Sequence, residues 1–254
     1  MGESDALLAL LRRGRNVLVF TGAGISTGSG IPDFRGPQGI WKTRQPVYYD
    51  EFLASEEKRV EYWDYKLEAY ESFRDAKPNA THEALVDLER LGRLRVLVTQ
   101  NIDGLHHKAG SDPDKIIEVH GTNRWTQCVS CRHRDEPAPA MAYFAEHRAT
   151  PPCAQCGGHL KLATISFGQP LEPETIQRAA REAEQCDLVL SLGSTLSVHP
   201  AASIPLIPAR NGAPYAVINR GDTDHDSVAT LRIDDDVTAV VPPAVAALRT
   251  ELEG

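Results

Sequence analysis

Apolar and polar positions divide this chain into alternating elements. Residues 5–13 carry leucines at helical spacing and predict an N-terminal amphipathic helix. Asn16-Val17-Leu18-Val19-Phe20 follows as a short unbroken apolar run, the pattern of a parallel strand buried on both faces. It ends in Thr21-Gly22-Ala23-Gly24-Ile25-Ser26, with glycines and hydroxyls where a strand hands over to a helix. Gly36, Pro37, Gly39 and Pro46 interrupt residues 36–49 and predict a loop. Residues 50–76 mix aromatics with charges and predict helices, and Pro78-Asn79-Ala80-Thr81-His82 opens another that runs to Leu91. Residues 94–99 predict a second strand, which delivers Gln100-Asn101-Ile102-Asp103 at its end. Residues 116–119 predict a third, leading into His120-Gly121. A helix over 172–185, a strand over 187–192 ending in Gly193-Ser194-Thr195-Leu196, a strand over 214–219 and a helix over 237–249 complete the pattern.

Strands alternating with helices predict a parallel α/β sheet. Polar or glycine-rich residues follow four of the strands, and open α/β sheets bind ligands at those carboxyl ends. Residues 125–160 break the pattern with paired cysteines, several prolines and few apolar runs, and read as a separate small module.

Composition narrows the possibilities. The 254 residues are 41% apolar and 24% charged, which excludes a disordered chain and fits one large domain carrying an insertion. No stretch approaches the ~18 consecutive apolar residues of a membrane span. The acidic start Met1-Gly2-Glu3-Ser4-Asp5 lacks the basic residues that open a secretory signal, so a cytoplasmic protein is expected. With 27 basic and 35 acidic side chains the net charge is −8, which argues against direct nucleic-acid binding.

The most specific chemical signal is Cys128-x2-Cys131 with Cys153-x2-Cys156. Each pair can place two thiolates on one tetrahedral zinc, and four protein ligands leave no open position, so the expected site is structural. Cys186 sits at a helix–strand junction and reads as packing. Gly22-Ala23-Gly24 reads either as a plain tight turn or as a cradle for a diphosphate. Thr27 stands where the third glycine of a dinucleotide fingerprint belongs, and no acidic ribose clamp follows, which disfavours an ordinary dehydrogenase. Asn219 reads as a strand-end turn residue or a ribose ligand. Asp33-Phe34-Arg35 reads as a solvated loop or as an acid–aromatic–base cluster over a ligand. Asp103 reads as a helix cap or as a ligand group. His120, beside a glycine at a strand terminus, reads as structural or as a general base near neutral pH. The other histidines read as surface or packing residues.

Taken in order, these segments resemble the sirtuin family. The matching runs are Gly22-Ala23-Gly24-Ile25-Ser26, Gly30-Ile31-Pro32-Asp33-Phe34-Arg35, Thr99-Gln100-Asn101-Ile102-Asp103-Gly104-Leu105-His106, His120-Gly121, the four cysteines, Gly193-Ser194-Thr195-Leu196 and Val217-Ile218-Asn219. The resemblance spans residues 15–240. It implies a Rossmann-like parallel-sheet large domain (1–35, 81–124 and 161–254) with an inserted small domain. That insertion would comprise a cofactor loop and helical module (36–80) and a zinc ribbon (125–160). It implies an NAD-dependent protein lysine deacylase, in its plainest form a deacetylase, giving nicotinamide, O-acyl-ADP-ribose and free lysine. By the same resemblance Gly22, Ala23, Gly24, Ser26 and Thr27 lie at the diphosphate, and Asp33, Phe34, Arg35 and Trp41 in the loop over NAD. Gln100, Asn101, Ile102 and Asp103 serve the ribose and carboxamide. Gly193, Ser194, Thr195, Asn219 and Val237 serve the adenosine side. His120 is the general base on a ribose hydroxyl, with Asn101 beside it, and Ile165, Phe167 and Gly168 pair with the peptide. The implied partners are NAD as co-substrate, one structural zinc and acyl-lysine proteins or peptides, with the enzyme a monomer.

Two departures from the family pattern matter. Gln169 replaces the usual glutamate of Phe-Gly-Glu; main-chain pairing with a peptide survives this, while charge preference can change. No Tyr-x-x-Arg pair is present to read an acidic acyl chain; the helical stretch offers Tyr62, Tyr65 and Lys66, and neutral acyl groups are expected. Two other readings remain: mono-ADP-ribosyl transfer to protein at the same NAD site, and a zinc-ribbon module that binds without catalysis.

Overall fold

The apolar runs become neighbours in one sheet. The computed structural model describes residues 2–32 and 45–254. Its strands are β1 (Val17–Thr21), β2 (Leu94–Thr99), β3 (Ile116–Glu118), β4 (Gly121–Cys128), β5 (Arg134–Asp135), β6 (Leu160–Thr164), β7 (Leu188–Leu192), β8 (Tyr215–Ile218) and β9 (Leu231–Ile233). Its helices are α1 (Glu3–Leu11), α2 (Tyr49–Ala54), α3 (Glu56–Asp75), α4 (Ala80–Arg90), α5 (Leu105–Ala109), α6 (Pro137–His147), α7 (Pro173–Ala183), α8 (Leu206–Arg210) and α9 (Val237–Glu253).

Among the described residues the large sheet runs β3-β2-β1-β7-β8-β9, with every pairing parallel. This is the Rossmann order, and the strand order reverses between β1 and β7. Alternate residues of each strand face opposite layers. Val17 and Val19 join Leu94, Leu97 and Leu190 in a core covered by α1, α4 and α9. Leu18 and Phe20 join Val96, Val98 and Val189 in a second core covered by α7 and α8. Both faces are buried, which is why these strands are apolar throughout rather than alternating. Side chains fix several helix starts: Asn79 accepts from the Thr81 amide at 3.0 Å, and Asp236 from the Thr238 amide at 2.8 Å.

A second, antiparallel sheet runs β5-β4-β6. It begins at Gly121 and ends at Thr164, so it extends past both ends of the 125–160 segment read from composition. Polar residues alternate along β4 and hide its strand signal. The prolines at 137 and 139 open α6 rather than a loop, because the first helical turn needs no amide donor there. The helical part and the ribbon share one core: Phe52, Tyr62 and Trp63 pack with Met141, Phe144 and Leu162. Trp63 donates its indole N–H to the Leu160 carbonyl at 3.1 Å, and the Tyr62 hydroxyl accepts from the Leu162 amide at 3.1 Å. Glu56 accepts from the Thr150 amide at 2.8 Å, and Arg148 pairs with Asp64. Cys186 is buried, with its thiol on the Glu182 carbonyl at 3.3 Å, in keeping with a packing role.

The turns after β1 and β7 press together. Gly24 donates its amide to the Gly193 carbonyl at 2.8 Å. Gly193 has φ +61°, and a Cβ there would lie 2.4 Å from the Ile25 nitrogen. We predict that Gly193→Ala loses about 2–4 kcal/mol in denaturant unfolding, from left-handed strain plus overpacking. An unchanged midpoint would contradict this contact.

Candidate active site

Register builds the floor of the cleft. Thr21 pairs with Thr99 on one side and Leu192 on the other, so β1, β2 and β7 end level. Their next residues, Gly22, Gln100 and Gly193, therefore start three adjacent turns. The turn after β1 continues as a 3-10 helix over Ala23–Ser29, in which Thr27 donates its hydroxyl to the Gly24 carbonyl at 3.0 Å. A Cβ on Gly22 would lie 2.7 Å from the Gly193 carbonyl oxygen, and one on Gly24 2.8 Å from the Gly193 Cα. These glycines are required by turn-to-turn packing, and the packed turns in turn form one wall of a cavity of about 1810 Å³. Ala23, Gly24, Thr27, Ser194 and Thr195 line that wall.

Ser26 points the other way, into the protein. Asn101 donates its amide to the Gly22 carbonyl at 3.0 Å and to the Ser26 hydroxyl at 3.2 Å. Ser26 donates onward to Asp103 at 2.7 Å. Both amide hydrogens of Asn101 are thereby engaged, and its oxygen is the acceptor it can offer a ligand. Asp103 is one residue before the N-cap, Gly104, yet its second oxygen still accepts from the first helical amide, Leu105, at 2.9 Å, and it lines the cavity beside Ile102. Burial raises its pKa, and the Leu105 and Ser26 bonds partly oppose that rise. Gln100 donates to the Ser194 hydroxyl at 2.8 Å, tying the turn after β2 to the turn after β7.

His120 lies past the end of β3 and faces the same cavity. Its Nδ1 sits 3.1 Å from the Gln100 carbonyl, which favours the tautomer with the proton on Nδ1 and makes Nε2 the basic nitrogen. Reading the other histidines as surface or packing groups missed a buried relay beneath this floor. His106 Nε2 lies 3.1 Å from the Thr21 hydroxyl, which bonds the Thr99 hydroxyl at 2.8 Å, which accepts from the Asn101 amide at 3.0 Å. His82 lies beside His106, with ring centroids 4.9 Å apart and the ring planes tilted by 51°. Burial, then the neighbouring His82 and His107, hold His106 well below its ordinary pKa, so it is neutral at pH 7. Only its adjacency to the Asn101 segment in sequence could have signalled this.

On the far side, Asn219 uses its amide to close its own turn, on the carbonyls of Arg220 at 2.9 Å and Gly221 at 3.1 Å. Its turn-residue reading therefore holds, while the residue also lines the cavity with Val237. Opposite, β6 is the edge of the small sheet and continues as residues 165–168 along the cleft. Ile165 donates its amide to the His120 carbonyl at 2.8 Å. Phe167 is exposed against Tyr48, with ring centroids 5.9 Å apart, and Gly168 has φ +79°. Gln169 accepts from the Ser166 amide at 3.1 Å, closing the turn with an oxygen that a glutamate would equally supply. Asp33, Phe34, Arg35 and Trp41 lie outside the described residues.

The four cysteines converge. All four sulfurs lie within 4.8 Å of one another, with Cys128–Cys156 at 3.6 Å and Cys131–Cys153 at 3.7 Å. Four thiolates about 2.3 Å from a tetrahedral zinc stand about 3.8 Å apart, so this set fits the metal. The cluster lies at the end of β4 and in the loop before β6, and four protein ligands leave no open position on the metal, as in a structural site.

A Rossmann-ordered sheet with its turns at the switch point, joined across one cleft to a four-thiolate ribbon, defines a dinucleotide-binding enzyme fold with a zinc-ribbon insertion. Residues 22–200 match the Sir2 family. The chain is 40% identical to an NAD-dependent protein deacetylase of Bradyrhizobium diazoefficiens over 93% of this chain and 92% of that one. It is 39% identical to one of Sulfolobus acidocaldarius over 98% and 96%. A solved Sir2–p53 peptide–NAD+ complex matches with a TM-score of 0.85 at 33% identity, covering 100% of both chains. A Sir2 homolog–NAD complex matches with 0.87 at 33% identity, covering 98% and 94%. The chain belongs to the Sir2 family, the sirtuins.

The thiol geometry predicts one zinc per chain by elemental analysis. Cys128→Ala should lose that zinc and lower the melting temperature, since binding and folding are coupled. Equal zinc content and melting temperature in the variant would refute the assignment.

Proposed function

We propose that this protein is an NAD-dependent protein lysine deacylase, removing acetyl and related acyl groups with His120 as general base. One observation carries the reading. His120 has Nδ1 on the Gln100 carbonyl and faces a single cavity shared by the Gly22–Gly24 turn and the strand residues 165–168. A base between a dinucleotide cradle and a peptide edge is what transfer from lysine to a ribosyl group requires.

NAD, as co-substrate, supplies a ribosyl–nicotinamide bond that breaks readily because its leaving group departs neutral. The residues around it divide the work. Gly22, Ala23, Gly24 and Thr27 hold the diphosphate, with Ser26 as the support behind them. Gly193, Ser194, Thr195, Asn219 and Val237 hold the adenosine half. Gln100 and the Asn101 oxygen hold the ribose and an ordered water, while Ile102 and Asp103 receive the carboxamide. Asp33, Phe34, Arg35 and Trp41 complete the cofactor site on the strength of the motif alone. Ile165, Phe167 and Gly168 pair with the backbone of the acyl-lysine segment by strand addition. His120 Nε2 takes a proton from a ribose hydroxyl once the acyl oxygen has joined the sugar. Four thiolates closed on zinc suit a reducing compartment, in keeping with a cytoplasmic enzyme; we assign it as a monomer acting on proteins and peptides. Among the described residues, no helix is long and apolar enough to cross a membrane.

The test is mass spectrometry with NAD and a lysine-acylated peptide. Nicotinamide and O-acyl-ADP-ribose should appear in step with deacylated peptide. His120→Ala should lower that turnover by about 10²–10⁴-fold, the range of general-base catalysis, with NAD binding retained. Full turnover by the variant would remove His120 from the mechanism. ADP-ribose attached to protein would move the reading to a transferase, and no NAD consumption with any acyl peptide would move it to a binding module.

A further inference from the structure

Ser191 and Tyr215 interrupt two strands that are otherwise apolar and buried throughout. Tyr215 pairs opposite Val189 and Ser191 opposite Val217, so the two side chains are diagonal neighbours on one face of the sheet. The Tyr215 hydroxyl lies 2.9 Å from the Ser191 hydroxyl and 2.9 Å from His225 Nδ1. With one proton to give, it donates one of these bonds and accepts the other. All three side chains are buried. Burial lowers the pKa of His225; His199 and Arg210 add to this, while Asp224 and Asp226 oppose it, and the ring is neutral at pH 7. Two hydroxyls and an imidazole lose hydration in such a core, and aliphatic side chains would fill the same space without that loss. Core filling alone therefore gives no reason for the triad.

The reason lies in what His225 carries. It is the sole buried residue of 221–230, the run that links Asn219 to β9. One residue earlier, the Asp224 amide donates to the Thr195 carbonyl at 3.1 Å, on the turn after β7. From the β9 side, Arg232 binds Asp226 at 2.7 Å and the Asn219 carbonyl at 3.0 Å, and Asp234 accepts from the Gly221 amide at 2.8 Å. Those bonds lace the run to β9, whereas the Asp224 amide and the His225 link draw it onto β7 and β8. The residues it presents to the cleft are Asn219, Arg220 and Gly221, which line the cavity with Thr195. His225 itself does not line that cavity, so it acts through them. We propose that His225 is a positioning residue for the adenosine half of NAD: through Tyr215 and Ser191 it fixes the Asn219–Gly221 turn against Thr195, at the spacing the bound dinucleotide requires. A cofactor wall held in place before binding spares the ligand the cost of ordering it. The proposal rests on the cofactor reading above and adds to it a buried residue that none of the short motifs contains.

The test measures ADP-ribose binding by calorimetry, together with KM for NAD, KM for an acetyl-lysine peptide, and kcat. His225→Leu keeps an apolar plug and loses the bond; it should weaken ADP-ribose and raise KM for NAD about tenfold, the scale of one buried polar group left without its partner. Tyr215→Phe removes a single oxygen and should do the same. The double variant should be no worse than either single one, since both break one link. Peptide KM and kcat should stay within about twofold of wild type, because neither depends on the adenosine wall. His225→Gln, whose amide can still bond the Tyr215 hydroxyl, should recover most of the affinity. Unchanged ADP-ribose binding in Tyr215→Phe overturns the proposal, and that variant decides the matter even where His225→Leu does not fold. Equal losses in NAD, peptide and kcat overturn it as well, since they mean that the triad holds the fold as a whole. Wild type that binds ADP-ribose no better than its variants do removes the proposal alone; wild type that binds none removes the cofactor reading with it.

Discussion

Gly24 and Gly193 meet backbone to backbone, and the placement of the polar groups in the cleft depends on that contact. The hydrogen bond between them is 2.8 Å, and neither glycine has room for a Cβ. The level ends of β1, β2 and β7 make the contact possible. Cross-links then fasten the third turn to the other two, Gln100 to Ser194 and Asn101 to the Gly22 carbonyl. The result is a floor whose hydrogen-bond directions are set before any ligand arrives, which is the condition for electrostatic preorganisation.

The opposite wall is built by different means. The small sheet is short, and β5 has only two residues. It gains rigidity from the thiol cluster at one end and from Tyr62, Trp63 and Phe144 on its inner face. Zinc and the aromatic core therefore have one joint consequence: they aim β6 along the cleft and hold α3 against it. That joint packing brings Lys66, remote in sequence from residues 161–168, to the same cavity.

The legible parts of the fold were those whose environment is uniform. Strands buried on both faces must be apolar throughout, so β1, β2, β7 and β8 stood out within a residue or so of their ends. The capped helix α4 stood out for its Asn79 start. The small domain was harder to read. β4 alternates between core, solvent and metal ligands, and α6 hides behind prolines that serve its first turn. The candidate site was legible through its short motifs, yet the motifs did not reveal direction. Ser26 faces inward to Asp103, and His106 supports the floor through Thr21 and Thr99.

The sequence by itself determined the class of fold, the four thiol ligands and the residue types gathered at the strand ends. Each of these is a local property: hydrophobic period, ligand spacing, and the order of motifs along the chain. Only the tertiary structure decided which side chains face the cavity, that the glycines serve turn-to-turn packing, and that Ser191 and His225, from separate elements, share one tyrosine. Those outcomes depend on distances between segments that are far apart in the chain. Such distances are set by sheet register and core packing, which no local pattern encodes.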